Sequence, residues 1–200
     1  MPVYSMEGVT PVVDRSAYVH PSAVLIGDVI IGADCYVGPC ASLRGDFGRI
    51  VLENGANLQD TCVMHGFPHG DTVIEQEGHI SHGAVLHGCR IGRNVMVGIN
   101  AVIMDEAILG ESSIVAALTY VPPGFEAPSQ SVVAGIPAVI KRRLTEKELA
   151  WKREATATYR ALAVHCREAL QPAEPLTEVE PDRRRLTLAD IQPLHRARKD

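Results

Sequence analysis

The sequence is poor in aromatic residues, in positive charge and in long apolar runs. Aromatic side chains make up only 4% of the 200 residues, and the formal net charge is −5. A nucleic-acid-binding surface needs the opposite, a basic patch interleaved with aromatic rings. No apolar run approaches the ~20 residues that span a bilayer, and the N-terminus shows no signal-peptide pattern. We therefore expect no nucleic-acid partner, no membrane partner and a cytoplasmic location.

The five cysteines include no C-x-x-C pair, so the sequence lacks that type of redox or metal motif. A nucleophilic cysteine needs an activating neighbour, and none is evident beside these five. Cys35, Cys62 and Cys89 fall on inward positions of the repeat described next. We expect them to be small core residues.

The sequence does contain a six-residue period. An aliphatic residue recurs at Val19, Leu25, Ile31, Val37 and Leu43, with a second inward position four residues after each. After one extra residue the period resumes at Ile50, Ala56 and Cys62, and after an insertion at 68–72 it continues at Val73, His79, Val85 and Ile91 as far as Val121. Hexapeptide repeats predict a parallel β-helix with three flat faces per coil and coils about 4.8 Å apart.

Three histidines can be placed on these faces. His65 and His87 fall on the same face of adjacent coils, close enough to share an ion, whereas His82 falls on another face around a corner. A second chain packed against that corner could supply His82. The period thus predicts a three-histidine site divided between two chains, and a cyclic trimer is the natural closure.

The same numbering gathers polar residues near the histidines. Gln59 is expected one coil before His82 and Asn100 one coil after it, while Tyr120 is expected two coils above His82, at the rim or in contact with substrate. Asp60 occupies a position usually given to a small residue and is expected to have a buried partner. The full polar set is Arg44, Asp46, Gln59, Asp60, Asn100, Asp105 and Tyr120.

The chain divides into three parts, with an all-β body and a C-terminal α-helix. Residues 1–140 form the N-terminal cap and the β-helix, 141–171 a helix packed on it, and 172–200 an extended charged tail. The helix begins at Thr145, with Glu148 completing a capping box, and continues to about Leu170. The arginine run at 183–185 is expected to be solvated, with contact to coenzyme A phosphates as the alternative.

Several motifs carry a resemblance to a known family. R-G-D at 44–46, N-x-Q-D at 57–60, His65 and H-x-x-x-x-H at 82–87 together resemble the gamma-class carbonic anhydrases. This resemblance implies a left-handed β-helical homotrimer with Zn²⁺ on His65 and His87 of one subunit and His82 of its neighbour. It also implies an intersubunit salt bridge between Arg44 and Asp46, and a catalytic role for Gln59 in orienting the metal-bound water.

Four further stretches, at 45–50, 64–68, 148–152 and 174–181, resemble the branch with the phenylacetate-degradation thioesterase and its carnitine-operon relative. That branch implies a metal-dependent thioesterase in which a zinc-bound hydroxide attacks acyl-CoA thioesters of phenylacetate degradation. Fe²⁺ or Co²⁺ could replace zinc on imidazole ligands. Three alternatives stay open: CO₂ hydration, disfavoured by Phe47 and the short 66–71 loop in place of acidic residues; acyl transfer; and a non-catalytic trimeric scaffold.

Overall fold

The computed structural model describes residues 1–197 as a parallel β-solenoid of about seven turns followed by a long helix. Residues 198–200 of the predicted tail lie outside the described residues. In chain order the strands are β1 Val3–Tyr4, β2 Val12–Val13, β3 Tyr18–Val19, β4 Val24–Ile31, β5 Tyr36–Val37, β6 Ser42–Leu52, β7 Asn57–Leu58, β8 Val63–His65, β9 Asp71–Ile74, β10 His79–Ile80, β11 Val85–His87, β12 Arg90–Ile91, β13 Met96–Val97, β14 Val102–Ile103, β15 Ile108–Leu109, β16 Ile114–Val115, β17 Tyr120–Val121, β18 Glu126–Ala127, β19 Ser131–Gly135 and β20 Ala138–Arg143. The helices are α1 Glu146–Ala169 and α2 Leu194–Ala197.

The strands stack in three columns, which confirms the predicted parallel β-helix. The column β6-β8-β11-β14-β17, here called the histidine face, joins a second column, β6-β9-β12-β15-β18, because β4 and β6 each run around a corner. The third column, here called the helix face, runs β3-β5-β7-β10-β13-β16-β19. Each face therefore repeats along the solenoid axis, and residues in register lie one above the other.

The core is filled by one larger and one smaller side chain from each hexapeptide. Where the six-residue count predicts Val73, His79 and Val85 as the larger inward residues, the core instead contains Ile74, Ile80 and Leu86, each 0% exposed. Before them, Ile50, Ala56 and Cys62 take the smaller position and Leu52, Leu58 and Met64 the larger one. The predicted phase is therefore wrong by two residues over 50–62 and by one residue over 73–86.

Uneven coil length explains the error over 73–86. Val63 pairs with Val85, but Val85 pairs with Val102, so one coil is five residues longer than the next. The longer coil contains the loop after β8. The count allows for an insertion at 68–72 but not for the shorter coil that follows it, and adjacent apolar residues such as Val73 and Ile74 conceal the slip.

The repeat continues further than the period predicts. Strands β18 and β19 still pair in parallel with β15 and β16, so residues beyond Val121 belong to the solenoid. The chain turns back only at Ile136–Pro137, and β20 then pairs antiparallel with β19. At the other end, β1 and β2 pair with β4. At this end the edge strands are only two residues long, and such short edge strands limit edge-to-edge association.

Helix α1 begins with the predicted capping box. Thr145 Oγ1 accepts a hydrogen bond from the Glu148 backbone N–H at 3.3 Å, and the Glu148 carboxylate accepts from the Thr145 N–H at 2.9 Å. The helix packs across β3, β5 and β7 of the helix face. After Ala169 the chain forms neither helix nor strand until α2, and the Trp151 indole donates to the Gln192 carbonyl at 2.7 Å. No helix within residues 1–197 is long and apolar enough to cross a membrane.

The inner side of α1 carries polar groups that its apolar spacing does not predict. Lys152 is 0% exposed, and its Nζ has no hydrogen-bond partner among the described residues. Thr156 Oγ1, one turn further along the helix, is also buried without a partner among them. Burial lowers the pKa of the Lys152 ammonium to about 7. An unpaired buried cation opposes folding, so this layer is a weak point in the packing of α1.

Candidate functional site

His65 and His87, here called the histidine pair, lie side by side on the histidine face. They are register partners at the ends of β8 and β11. His65 Nδ1 is 3.1 Å from His87 Nε2. The outer nitrogens meet carboxylates: His65 Nε2 is 2.9 Å from Asp46 Oδ1, and His87 Nδ1 is 2.5 Å from Asp105 Oδ1. The structure thus brings together two of the three predicted histidines and both carboxylates predicted beside them.

The two carboxylates determine what the inner nitrogens of the histidine pair can do. An ionised carboxylate only accepts hydrogen bonds, so the nitrogens that face Asp46 and Asp105 carry the protons. Both inner nitrogens then present lone pairs to each other across 3.1 Å. Two facing lone pairs repel unless a cation lies between them. The histidine pair is therefore arranged to share a proton or to bind a metal ion.

Arg44 completes the charge balance on the Asp46 side. Its Nη1 lies 2.5 Å from Asp46 Oδ2, within the same chain. Partial burial opposes ionisation of Asp46, but the hydrogen bonds from Arg44 and His65 hold the pKa of its carboxyl below the usual value. The Asp46 carboxylate is thus kept ionised and ready to accept from His65. A salt bridge of these residues across two chains stays a prediction.

Thr72 and Gly88 hold the backbone behind the histidine pair. Thr72 is fully buried; its hydroxyl donates to the His65 carbonyl at 2.7 Å and accepts from the Gly88 N–H at 3.0 Å. Gly88 has φ +58°, and a Cβ there would overlap Asp105 Oδ1. Sequence reasoning missed both residues, because Thr72 lies in the insertion between hexapeptides and Gly88 has no side chain to signal its role.

His82 lies in the turn after β10 and does not join the histidine pair within one chain. Its Nδ1 is 2.6 Å from Asp60 Oδ2, and both side chains are substantially exposed. The expectation of a buried partner for Asp60 is therefore wrong: the carboxylate pairs with a histidine at an exposed corner. Asn100 follows one coil on and donates its N–H to the His82 carbonyl at 3.0 Å. Among residues 1–197, no three His, Cys, Asp or Glu side chains converge as a metal site.

Gln59 lies under α1 rather than on an open surface. Only 2% exposed, its amide donates to Asn57 Oδ1 at 3.0 Å and lies 2.9 Å from His79 Nε2. Burial lowers the pKa of His79 to about 3, so this imidazole is neutral and can accept from the amide. Because His79 pairs with Asn57, the residue one coil before His82 is Asp60, not Gln59 as the period predicts. The role of Gln59 beside a bound water stays a prediction.

Tyr120 also departs from its predicted position. It pairs in register with Val102, which pairs with Val85. Tyr120 therefore lies on the histidine face, two coils beyond β11, and not on the face that leads to His82. The predicted face was wrong because the last residue of this hexapeptide already begins the next strand.

The chain is similar to proteins of one curated group and to solved β-solenoid structures. No protein-family model matches it. It is 53% identical over 194 residues to the carnitine operon protein CaiE of Salmonella agona, covering 96% of this chain and 98% of that protein. A solved hexapeptide transferase family protein from Anaplasma phagocytophilum is 36% identical, with a TM-score of 0.78 over 84% of this chain and 98% of that one.

A second solved structure supports the fold alone. The Bacillus cereus protein described as a putative acetyltransferase has a TM-score of 0.80 and covers 82% of this chain and 95% of its own, but is only 24% identical. The carnitine-operon part of the predicted resemblance is confirmed by the relatives at more than half identity. The chain belongs to the CaiE family of carnitine operon proteins, within the hexapeptide-repeat β-solenoids.

Proposed function

We propose that this protein is a coenzyme A-dependent acyltransferase in which His87 is the general base. The observation that carries the proposal is the 2.5 Å contact between His87 Nδ1 and Asp105 Oδ1. It holds the imidazole as the tautomer whose Nε2 can accept a proton, which is what a histidine base requires. The 36% identity to a hexapeptide transferase family protein supports the choice of acyl transfer.

The step is a simple exchange at a thioester carbonyl. An acceptor hydroxyl or amine gives its proton to His87 Nε2 while its heteroatom bonds to the carbonyl carbon. The carbon–sulfur bond then breaks, and the protonated imidazole returns the proton to the departing thiolate of coenzyme A. His65 Nδ1, 3.1 Å away, can accept a hydrogen bond from His87 once that ring is protonated, which stabilises the cation.

A metal-dependent thioesterase is the second candidate, and one observation favours it. The inner nitrogens of the histidine pair face each other at 3.1 Å, near the roughly 3.3 Å that separates two nitrogens on one tetrahedral zinc. Each outer nitrogen meets a carboxylate, the arrangement that orients metal-bound histidines. The donor set therefore fits two ligands of one ion, and the third would be His82 of a second copy in a homotrimer. When bound, such an ion supplies Lewis-acid activation of a carbonyl or of water.

One experiment separates the candidates. Release of free coenzyme A from an acyl-CoA panel is measured with and without hydroxyl and amine acceptors, on protein of known metal content. For acyl transfer we expect release only with an acceptor, lost in His87→Ala and retained in His165→Ala, an exposed histidine on α1. Acceptor-independent release that follows metal content and is lost in His82→Ala would favour the thioesterase. No release with any substrate would contradict both and favour carbon dioxide chemistry or a scaffold.

A further inference from the structure

Two exposed phenylalanines flank the histidine pair. The sequence has three phenylalanines, and Phe125 packs against the core. Phe47 is 62% exposed and Phe67 58% exposed, although large apolar side chains are normally drawn inside. Both rings lie beside the candidate reacting nitrogens. A ligand bound over the histidine pair would remove both rings from water.

The four rings form one continuous row. Ring centroids are 5.5 Å apart between Phe47 and His65, 5.1 Å between His65 and His87, and 5.2 Å between His87 and Phe67. The Phe67 ring meets His87 edge to face, at 88°. A substrate whose carbonyl carbon reaches the inner nitrogens therefore has an apolar wall on each side, within the length of a short acyl chain.

The backbone holds these walls in place. Phe47 precedes Gly48 in β6, and Phe67 is the second residue of the loop 66–70 between β8 and β9. A Cβ on Gly48 would overlap the carbonyl oxygens of Gly70 and Phe67. The strand and the loop are thus in direct backbone contact, which sets the distance between the backbone positions of the two phenylalanines.

We infer that Phe47 and Phe67 are the walls of an acyl subsite that selects uncharged hydrocarbon acyl groups, an inference that rests on the proposed acyl-CoA chemistry. The nearby charged groups already have partners: Asp46 pairs with Arg44 and accepts a hydrogen bond from His65, and Asp105 accepts one from the neutral His87. Both carboxylates meet the outer nitrogens of the histidine pair, and the two phenylalanine rings supply the apolar surface beside it. Burial of apolar acyl carbons against the two rings supplies the selectivity.

The test is the dependence of kcat/KM on acyl chain length, from acetyl-CoA to octanoyl-CoA, in the wild type and in Phe47→Ala, Phe67→Ala and the double variant. In the wild type we expect about a fourfold gain for each methylene that reaches the rings. The double variant should lose most of that gain, Phe67→Leu should retain part of it, and Val164→Ala on α1 should retain all of it. An isosteric pair, tert-butylacetyl-CoA and betainyl-CoA, separates apolar burial from cation recognition, and the uncharged member should be preferred.

Binding of unreactive thioether analogues, measured by calorimetry, separates this inference from the proposed function. Chain-length-dependent binding without turnover would overturn the function and keep the subsite. Turnover in which the double variant keeps the wild-type gain in kcat/KM per methylene would overturn the subsite and keep the function. A preference for betainyl-CoA would have the same meaning. If the Phe47→Ala and Phe67→Ala substitutions dissociate an oligomer and leave the gain in kcat/KM per methylene unchanged, both rings belong to an interface between copies. Absence of both binding and turnover in the wild type would overturn both.

Discussion

At the scale of single residues, the chemistry of the site depends on which nitrogen of each histidine carries a proton. Asp46 and Asp105 determine this from outside the histidine pair. The residues that keep these carboxylates in position are therefore as important as the histidines. Gly88 is the least obvious of them, because it acts by lacking a side chain.

Gly88→Ala should displace the Asp105 carboxylate from His87, because the added Cβ overlaps Oδ1. We expect a 10- to 100-fold loss of kcat/KM for coenzyme A release, about the cost of losing such an orienting contact, with about 1 kcal/mol of destabilisation from the positive φ. Gly124→Ala is the matched control: φ is +68° and no atom lies within 4 Å of its Cβ. Equal activity losses in the two variants would show that backbone strain alone is responsible.

At the scale of elements, α1 has a sequence that predicts its start but not its inner surface. The capping box at Thr145 and Glu148 is readable because it depends on two side chains at fixed spacing. The burial of Lys152 is not readable, since a lysine within an apolar stripe normally extends its charge to solvent. Likewise β20 carries no repeat that would predict an antiparallel return, and the phase error at 73–86 follows from coil lengths that only pairing reveals.

The buried lysine predicts a pH dependence of stability. Its pKa is about 7 in the folded chain, against 10.5 for the free side chain. Between these values the unfolded chain binds the extra proton, so the free energy of unfolding should rise with pH, by up to about 1.4 kcal/mol per pH unit. Urea unfolding between pH of about 7 and about 8 tests this, because His79 titrates below that window. The Cys35, Cys62 and Cys89 thiols, whose pKa burial raises to about 12 in the folded chain, ionise in the unfolded chain mainly above it.

Lys152→Met should remove that pH dependence and stabilise the protein by about 2 kcal/mol near neutral pH, because a buried unpaired charge is replaced by an apolar chain of similar size. Lys147→Met, on the exposed side of the same helix, is the control and should change neither quantity. A Lys152→Met protein with the wild-type pH slope would show that another group titrates in this window.

At the scale of the whole molecule, the sequence predicts the solenoid and the adjacency of His65 and His87, because both follow from the period. It does not predict where α1 lies or that β19 and β20 form the final hairpin. Whether His82 of one copy completes the site of another depends on an assembly that a single chain does not contain. The proposed homotrimer therefore needs its own test.

Mixing two inactive variants tests the shared site. His82→Ala and His87→Ala are each expected to be inactive if each active site takes His82 from one copy and His87 from the next. After unfolding and refolding together in equal amounts, random trimers should recover about a quarter of the wild-type sites. Light scattering on the same sample gives the oligomeric state. No recovery in a verified mixed trimer, or an active His82→Ala protein, would place the whole site within one chain.

The coil register described above has a consequence for how this architecture can change in length. Val102 pairs with Tyr120, eighteen residues on, and the coils on either side make the same kind of contact with their neighbours. Gain or loss of one whole coil therefore leaves each remaining interface with an equivalent surface to stack on. Shorter insertions are accommodated in the loop after β8 and within β6, whose register against β4 shifts between Gly27 and Val29. Change by duplication of whole coils would move the two ends apart while leaving the histidine pair intact.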